Sequence, residues 1–173
     1  GPSHVSEILT DVYFAAIVSA RNELMIVTPY FIPNRDLVRA LRAAALRGVN
    51  VRLVVPRKNN HRYAGLAGQA LYEELLEAGV RIFERRPPFL HAKALIVDDA
   101  AALVGTANFD ARSFRLNFES TMVVLDEAFC NQLKPVVLAD LAESDEVILE
   151  EWQKRPNRRK MLENLAFLMM PGL

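Results

Sequence analysis

Strand and helix signals alternate through the first half of this chain and then give way to closely spaced strands, a switch that restricts the possible folds severely. Residues 24–27 (Leu24, Met25, Ile26, Val27) form a short continuous apolar run closed by Thr28 and Pro29, the pattern of a strand buried on both faces. Ahead of it, residues 5–21 set Ile8, Val12, Ala15 and Ala16 at helical spacing. Behind it, residues 35–47 repeat that spacing with Leu37, Val38, Leu41 and Ala45, with Asn34 placed to cap the start and Gly48 just past the end. A strand at 51–55, a helix at 63–78 stopped by Gly79, and a strand at 80–83 follow. Three more strand signals then come at 91–97, 101–104 and 114–125 with no helix between them. Alternation with helices implies parallel pairing and short turns imply antiparallel pairing. The expected fold is therefore α/β, a mixed parallel and antiparallel sheet flanked by helices on both faces. From residue 127 on the pattern is helical, with an interruption at Pro156.

Length and charge narrow the function classes. At 173 residues the chain suits one domain with a sizeable core and is too short for two catalytic modules. Its 21 basic and 21 acidic residues balance, which argues against nucleic acid as a partner held by bulk positive charge. The single cysteine, Cys130, excludes an internal disulfide and a redox pair. The expectation is also that this segment does not span a bilayer, since no apolar run approaches the roughly 18 residues required. Gly1, Pro2, Ser3 and His4 read as a remnant of protease cleavage and are set outside the fold (residues 1–4).

The chemistry-bearing stretch is His91, Lys93 and Asp98, followed six residues later by Gly105, Thr106 and Asn108. Taken singly, a histidine opening a strand reads as structural and a lysine two residues on as a surface group. The complete spacing across these eighteen residues is what carries weight. It matches the signature H-x-K-x4-D-x6-G-[ST]-x-N, and on that match the chain resembles the phospholipase D superfamily. The segments at 28–33, 89–93 and 105–119 narrow the likeness to the C-terminal half of bacterial cardiolipin synthases. That resemblance implies a phospholipase D-like domain over residues 5–145 followed by a C-terminal helical tail at 146–173. It implies a phosphatidyltransferase acting on phospholipid phosphodiesters through a phosphohistidine, with no metal or organic cofactor.

The residues have roles on physical grounds as well. A nucleophile that forms a covalent phospho-enzyme divides a difficult displacement into two easier steps. The imidazole of His91 suits either attack on phosphorus or protonation of a leaving alkoxide. In a strand Lys93 shares a face with His91, so its ammonium can hold a phosphoryl oxygen and offset charge in the transition state. Thr106 and Asn108 can add neutral donors. Asp98 belongs to the motif and is carried with the catalytic set, yet strand parity turns it to the opposite face, so it reads as a structural acceptor across the turn 98–100. The carboxylate that orients His91 is sought instead in Glu119. Arg115, Asn117 and Glu119 alternate with Leu116, Phe118 and Ser120 to form a polar stripe expected to line the site.

Other residues carry less. Tyr30 and Phe31 follow the first strand, where open α/β sheets place ligands, and Tyr30 is taken as a substrate-binding candidate. His61 lies in a polar loop with reach toward a headgroup. Arg85 and Arg86 read as a solvated charge pair. The tail joins Arg158, Arg159 and Lys160 to Met161, Leu162, Leu165, Leu168 and Met169. Between a helix lying on anionic lipid and a helix docked on the core, docking is favoured. One motif is half a site, because the reaction needs a nucleophile on one side of phosphorus and an acid on the other. The resemblance implies that a missing N-terminal half, or a second copy of the chain, completes it. His91 is then the acid/base partner in the whole enzyme, or either partner in a pair of copies. It also implies a phosphatidylglycerol-like substrate and a full-length protein at the cytoplasmic side of a bacterial inner membrane, in peripheral contact with anionic lipid, this segment itself being soluble. The rivals are a single-motif homodimeric phosphodiesterase or nuclease, and a lipid-binding domain that catalyses nothing.

Overall fold

A computed structural model of the chain describes residues 2–110 and 119–169. Helix α1 (Pro2–Ser19) leads into β1 (Glu23–Val27), the two-residue β2 (Phe31–Ile32), α2 (Arg35–Leu46) and β3 (Asn50–Pro56). Then come α3 (Arg62–Gln69), α4 (Tyr72–Glu77), β4 (Arg81–Arg85), β5 (Ala94–Val97), β6 (Ala101–Gly105) and the two-residue β7 (Phe109–Asp110). After the gap at 111–118 follow β8 (Thr121–Val124), α5 (Glu127–Ala142), β9 (Ser144–Glu146), α6 (Leu149–Gln153) and α7 (Asn157–Leu168). The seven-stranded sheet runs in the order β8, β6, β5, β1, β3, β4, β9. Pairs β1/β3 and β3/β4 are parallel, whereas β1/β5, β5/β6, β6/β8 and β4/β9 are antiparallel. This is the mixed sheet expected from the switch in pattern.

Period-2 alternation divides the core into two layers. Leu24, Ile26, Leu53, Leu95 and Leu103 face the side covered by α1, α2 and α4, where Ile17, Leu41 and Leu75 meet them. Met25, Val54, Ile96 and Ala102 face the other side, closed by Cys130 and Val137 of α5. Cys130 is thus a small buried packing residue. A separate cluster of Ile32, Ala64, Ala67 and Ala166 fastens α7 onto α3.

Several boundaries differ from those expected. The sheet takes up only Ala94–Val97 of the strand expected at 91–97, because β1 ends opposite Ala94 at Val27 and turns away at Thr28 and Pro29. Residues 91–93 therefore approach β5 without a ladder partner. The helix expected at 63–78 breaks between Gln69 and Tyr72, where Leu71 is buried and the Gln69 side chain donates to Glu84 (3.3 Å). α1 begins at Pro2, inside the segment set aside as a remnant. The division at 145/146 falls within β9, whose Ser144, Asp145 and Glu146 pair with Arg85, Glu84 and Phe83. Arg85 and Arg86 are no solvated pair: Arg85 reaches Asp140 (3.3 Å) and Arg86 reaches Asp145 (2.6 Å), stapling β4 to α5 and β9. Of the strand expected at 114–125, residues 114–118 lie outside the described residues and 121–124 are strand.

Gly105 ends β6 opposite Thr121. A Cβ there would stand 2.1 Å from the backbone oxygen of Ser120 and 2.8 Å from the Thr121 Cα. The obstacle is backbone, which cannot swing aside as a flexible side chain would, so only glycine permits this pairing. Gly105→Ala is expected to lower unfolding stability by about 3 kcal/mol, measured by urea titration, through forced separation of β6 from β8.

Candidate functional site

Where β1, β3 and β6 end and β5 begins, four connections meet: residues 28–30, 57–61, 86–93 and 105–108. Thr28 joins two of them. It is buried, its hydroxyl donates to the Tyr30 carbonyl (2.9 Å), and the same oxygen accepts from the Phe109 amide (3.0 Å). Next to this joint β2 and β7 pair in parallel, and the Phe31 ring stacks on Phe109 at 5.6 Å. Phe31 is thus a packing residue that braces the motif loop, while Tyr30 stays half-exposed.

His91 is exposed and Lys93 half-exposed at this end of the sheet. The Lys93 ammonium donates to the His91 carbonyl (2.8 Å), so the lysine folds back over the histidine's backbone. Burial pulls the Lys93 pKa below the usual lysine value, and the Glu119 carboxylate opposes that fall. Thr106 secures Glu119: its hydroxyl donates to Glu119 Oε2 (2.5 Å) and accepts from the Ser120 amide (3.0 Å), while its own amide donates to the Ser120 carbonyl (2.9 Å). The structure therefore brings Lys93, Thr106 and Glu119 together. Asn108 lies half-buried in the same loop. Arg115 and Asn117 lie outside the described residues.

Aromatic rings lead away from the motif. The His91 ring lies 5.9 Å from Phe89, Phe89 lies 6.3 Å from Tyr30, and Tyr30 lies 5.6 Å from His61. The Tyr30 hydroxyl donates to Asn60 Oδ1 (2.6 Å). Two histidines far apart in sequence are thereby joined by one row of rings.

Asp98 lies at the other end of β5, five residues from Lys93, or roughly 16 Å along an extended strand. Its carboxylate is a structural acceptor, as strand parity implies, but its donors lie at the start of β1 and not across the turn 98–100. Oδ2 accepts from the Arg21 amide and Oδ1 from those of Asn22 and Glu23, each at 2.8 Å. Both Asp98 and Asp99 adopt left-handed backbone, with φ of 49° and 56°, a conformation aspartate tolerates in tight turns. Burial alone would push the Asp98 pKa up, but the three amide hydrogen bonds and the Arg21 charge outweigh it and hold the carboxyl below its usual value.

Tyr13 packs edge-on against Phe109 (5.5 Å), and burial pushes its phenol pKa up, with the Glu119 carboxylate adding to the rise. It was legible only as an apolar position on α1. Thr28 was read only as a strand terminator. Among the described residues, no group of three His, Cys, Asp or Glu side chains is placed to hold a metal ion, and no helix is long and apolar enough to cross a membrane.

The model of the family "Cardiolipin synthase, PLD-like domain" matches residues 13–140. The chain belongs to this family. Cardiolipin synthase A of Proteus mirabilis (strain HI4320) is 42% identical over all 173 residues, and cardiolipin synthase 2 of Bacillus anthracis is likewise 42% identical. The chain spans 36% of the first relative and 34% of the second, about a third of each. Among solved structures, Nuc from Salmonella typhimurium, a phospholipase D family member, shares the fold at a TM-score of 0.69 and 22% identity, over 79% of this chain and 89% of that one. The phosphatidylserine synthase of Haemophilus influenzae Rd KW20 also gives 0.69, at 19% identity, over 94% of this chain and 45% of that one.

The three-amide clamp makes Asp98 a stabilising group with a defined pH window. Its folded pKa is depressed, so its contribution is complete above about pH 4 and is lost as pH falls through the folded value. Asp98→Asn is expected to cost about 1–3 kcal/mol at pH 7, with the gap between parent and variant closing below about pH 4. Thermal melts across that range check this, and a stable, folded but chemically dead variant would count against it.

Proposed function

We propose that this domain supplies one half of a phosphatidyltransferase site that moves a phosphatidyl group between phospholipid glycerol hydroxyls, as in cardiolipin synthesis. The observation that carries the reading is the grouping of His91 and Lys93 at an open sheet end, where the Lys93 ammonium donates to the His91 backbone carbonyl, with Glu119 held by Thr106 and acting electrostatically on Lys93. Membership of the cardiolipin synthase domain family supports the substrate class. The proportions of the two structural matches also agree with a half-site: this fold accounts for 89% of the Nuc chain but 45% of the phosphatidylserine synthase chain.

In the reaction so read, one imidazole attacks phosphorus and a P–N bond forms as the P–O bond to the departing glycerol breaks. The second imidazole gives that alkoxide its proton. It then takes the proton of the incoming glycerol hydroxyl, whose oxygen forms the new P–O bond as P–N breaks. Atoms and charge balance with no metal and no organic cofactor. His91 supplies one of the two imidazoles, and the rest of the protein supplies the other. Lys93 offsets the charge on the non-bridging oxygens, worth on the order of 10²–10³ in rate for one such donor. Glu119 opposes the burial that favours the neutral form of that ammonium. Tyr30 and Asn108 border the substrate, with Arg115 and Asn117 added from the sequence. The substrate is a phosphatidylglycerol-like lipid, which sets the full-length protein at the cytoplasmic face of a bacterial inner membrane.

Transfer of phosphatidyl groups to a glycerol acceptor by the full-length protein is expected to fall by at least about 10³-fold in His91→Ala and about 10²-fold in Lys93→Ala. Activity untouched by either substitution removes the assignment. Light scattering is expected to find the 173-residue chain monomeric and, alone, inactive; an active dimer would instead assign the second imidazole to another copy of this chain.

A further inference from the structure

Helix α7 is amphipathic the wrong way round. Its inward face carries Glu163, which has no solvent exposure and lies between Arg155 and Arg159, both at 3.0 Å. Its outward face carries Met161, Leu162, Leu165, Leu168 and Met169, at positions i, i+1, i+4, i+7 and i+8, which form one continuous stripe. Their exposure runs from 49% at Leu162 to 78% at Leu168. Folding onto the core leaves this stripe in water while costing the desolvation of a carboxylate.

The position of the stripe is informative. Arg159 donates to Gln69 (2.7 Å), and Ala166 packs with Ala64 and Ala67, so α7 runs antiparallel to α3. The apolar end of α7 therefore lies beside the start of α3, next to His61 and the row of rings that leads to His91. Tyr63, on the first turn of α3, is 76% exposed there, an aromatic of the amphipathic kind that favours a bilayer interface. Cations border the same region. Lys58, Arg62 and Arg159 line a cleft of about 350 Å³ that reaches Pro29 and Phe31. Among the described residues, Lys58, Arg62 and Arg158 have no ion pair, although the chain as a whole is neutral.

We propose that the outward stripe of α7, with Tyr63, docks on an anionic bilayer, and that Lys58, Arg62 and Arg158 contact its lipid phosphates. Apolar side chains sink into the acyl boundary and the flanking cations meet the surface charge. Charge complementarity selects this occupant over a second copy, because symmetric pairing through the stripe would press these cations against their own duplicates. The inference deepens the function proposed above and rests on it in one respect: a phosphodiester held in a bilayer must be reached from the bilayer's surface.

The test is co-sedimentation of the 173-residue chain with vesicles of phosphatidylglycerol and phosphatidylcholine, set against vesicles of phosphatidylcholine alone. Binding is expected to prefer the anionic vesicles and to weaken with salt. Leu165→Ser with Leu168→Ser is expected to lower affinity at least about tenfold, and Arg62→Gln with Arg158→Gln to abolish the anionic preference. All four positions are exposed, so the parent's thermal melt should be retained, and Leu162→Ser with Met169→Ser offers a second apolar pair. A parent chain that ignores anionic vesicles overturns the proposal, as does binding indifferent to these pairs. It is equally overturned by a parent dimer in sedimentation velocity that the apolar pair converts to monomer, which would give the stripe to a second copy. His91→Ala is expected to bind vesicles as the parent does. Lost binding with intact transfer by the full-length protein therefore removes docking alone, and lost transfer with intact binding removes the catalytic reading alone.

Discussion

The register of β5 between β1 and β6 is the constraint on which the site depends. Val27 pairs with Ala94, and Ala94 with Val104, so the residues just before β5 emerge where the neighbouring strands end. A slip of one residue would reverse every side chain of β5 and send Leu95 and Val97 toward the opposite layer. The Asp98 carboxylate, gripping three successive amides at the start of β1, holds this register from the far end. The motif thus contains its own anchor: chemistry at one end of the strand and alignment at the other.

Around that strand, charged groups act as staples more than as a general field. Lys134 of α5 reaches both Glu23 (2.7 Å) and Asp99 (2.8 Å), and Arg52 bonds Glu23, tying helix, hairpin and β1 together. Arg57 and Arg86 both hold Asp145 of β9. Such half-exposed pairs are individually weak. Their value lies in geometry, since each joins elements distant in sequence whose apolar contacts do the stabilising. Glu163 is the exception: fully buried between two arginines, it orients α7 and leaves the apolar residues of that helix facing out.

The site combines a closely held basic element with an open aromatic one. Lys93 is partly withdrawn from water, which lowers its pKa, and the Glu119 carboxylate opposes that fall. His91, by contrast, is exposed, with its ring 5.9 Å from that of Phe89. The chain spans about a third of the length of the curated relatives it matches.

Local periodicity was enough to determine the mixed sheet and the helices on both faces, and the motif to single out His91, Lys93, Thr106 and Asn108 as candidates, because hydrophobic spacing and a fixed motif are properties of neighbouring residues. Even the glycine of the motif had its position marked in this way, though its cause, the Ser120 backbone, stands fifteen residues on. Tertiary structure alone decided where Asp98 bonds, since its amide partners are 75 to 77 residues away. It decided as well the joint made by Thr28, the strand β9 and the two-residue strands β2 and β7. It likewise set which face of α7 looks outward. In each case a short or polar segment carries too little local preference to choose its conformation, and the choice falls to contacts that exist only once the remote partner is in place.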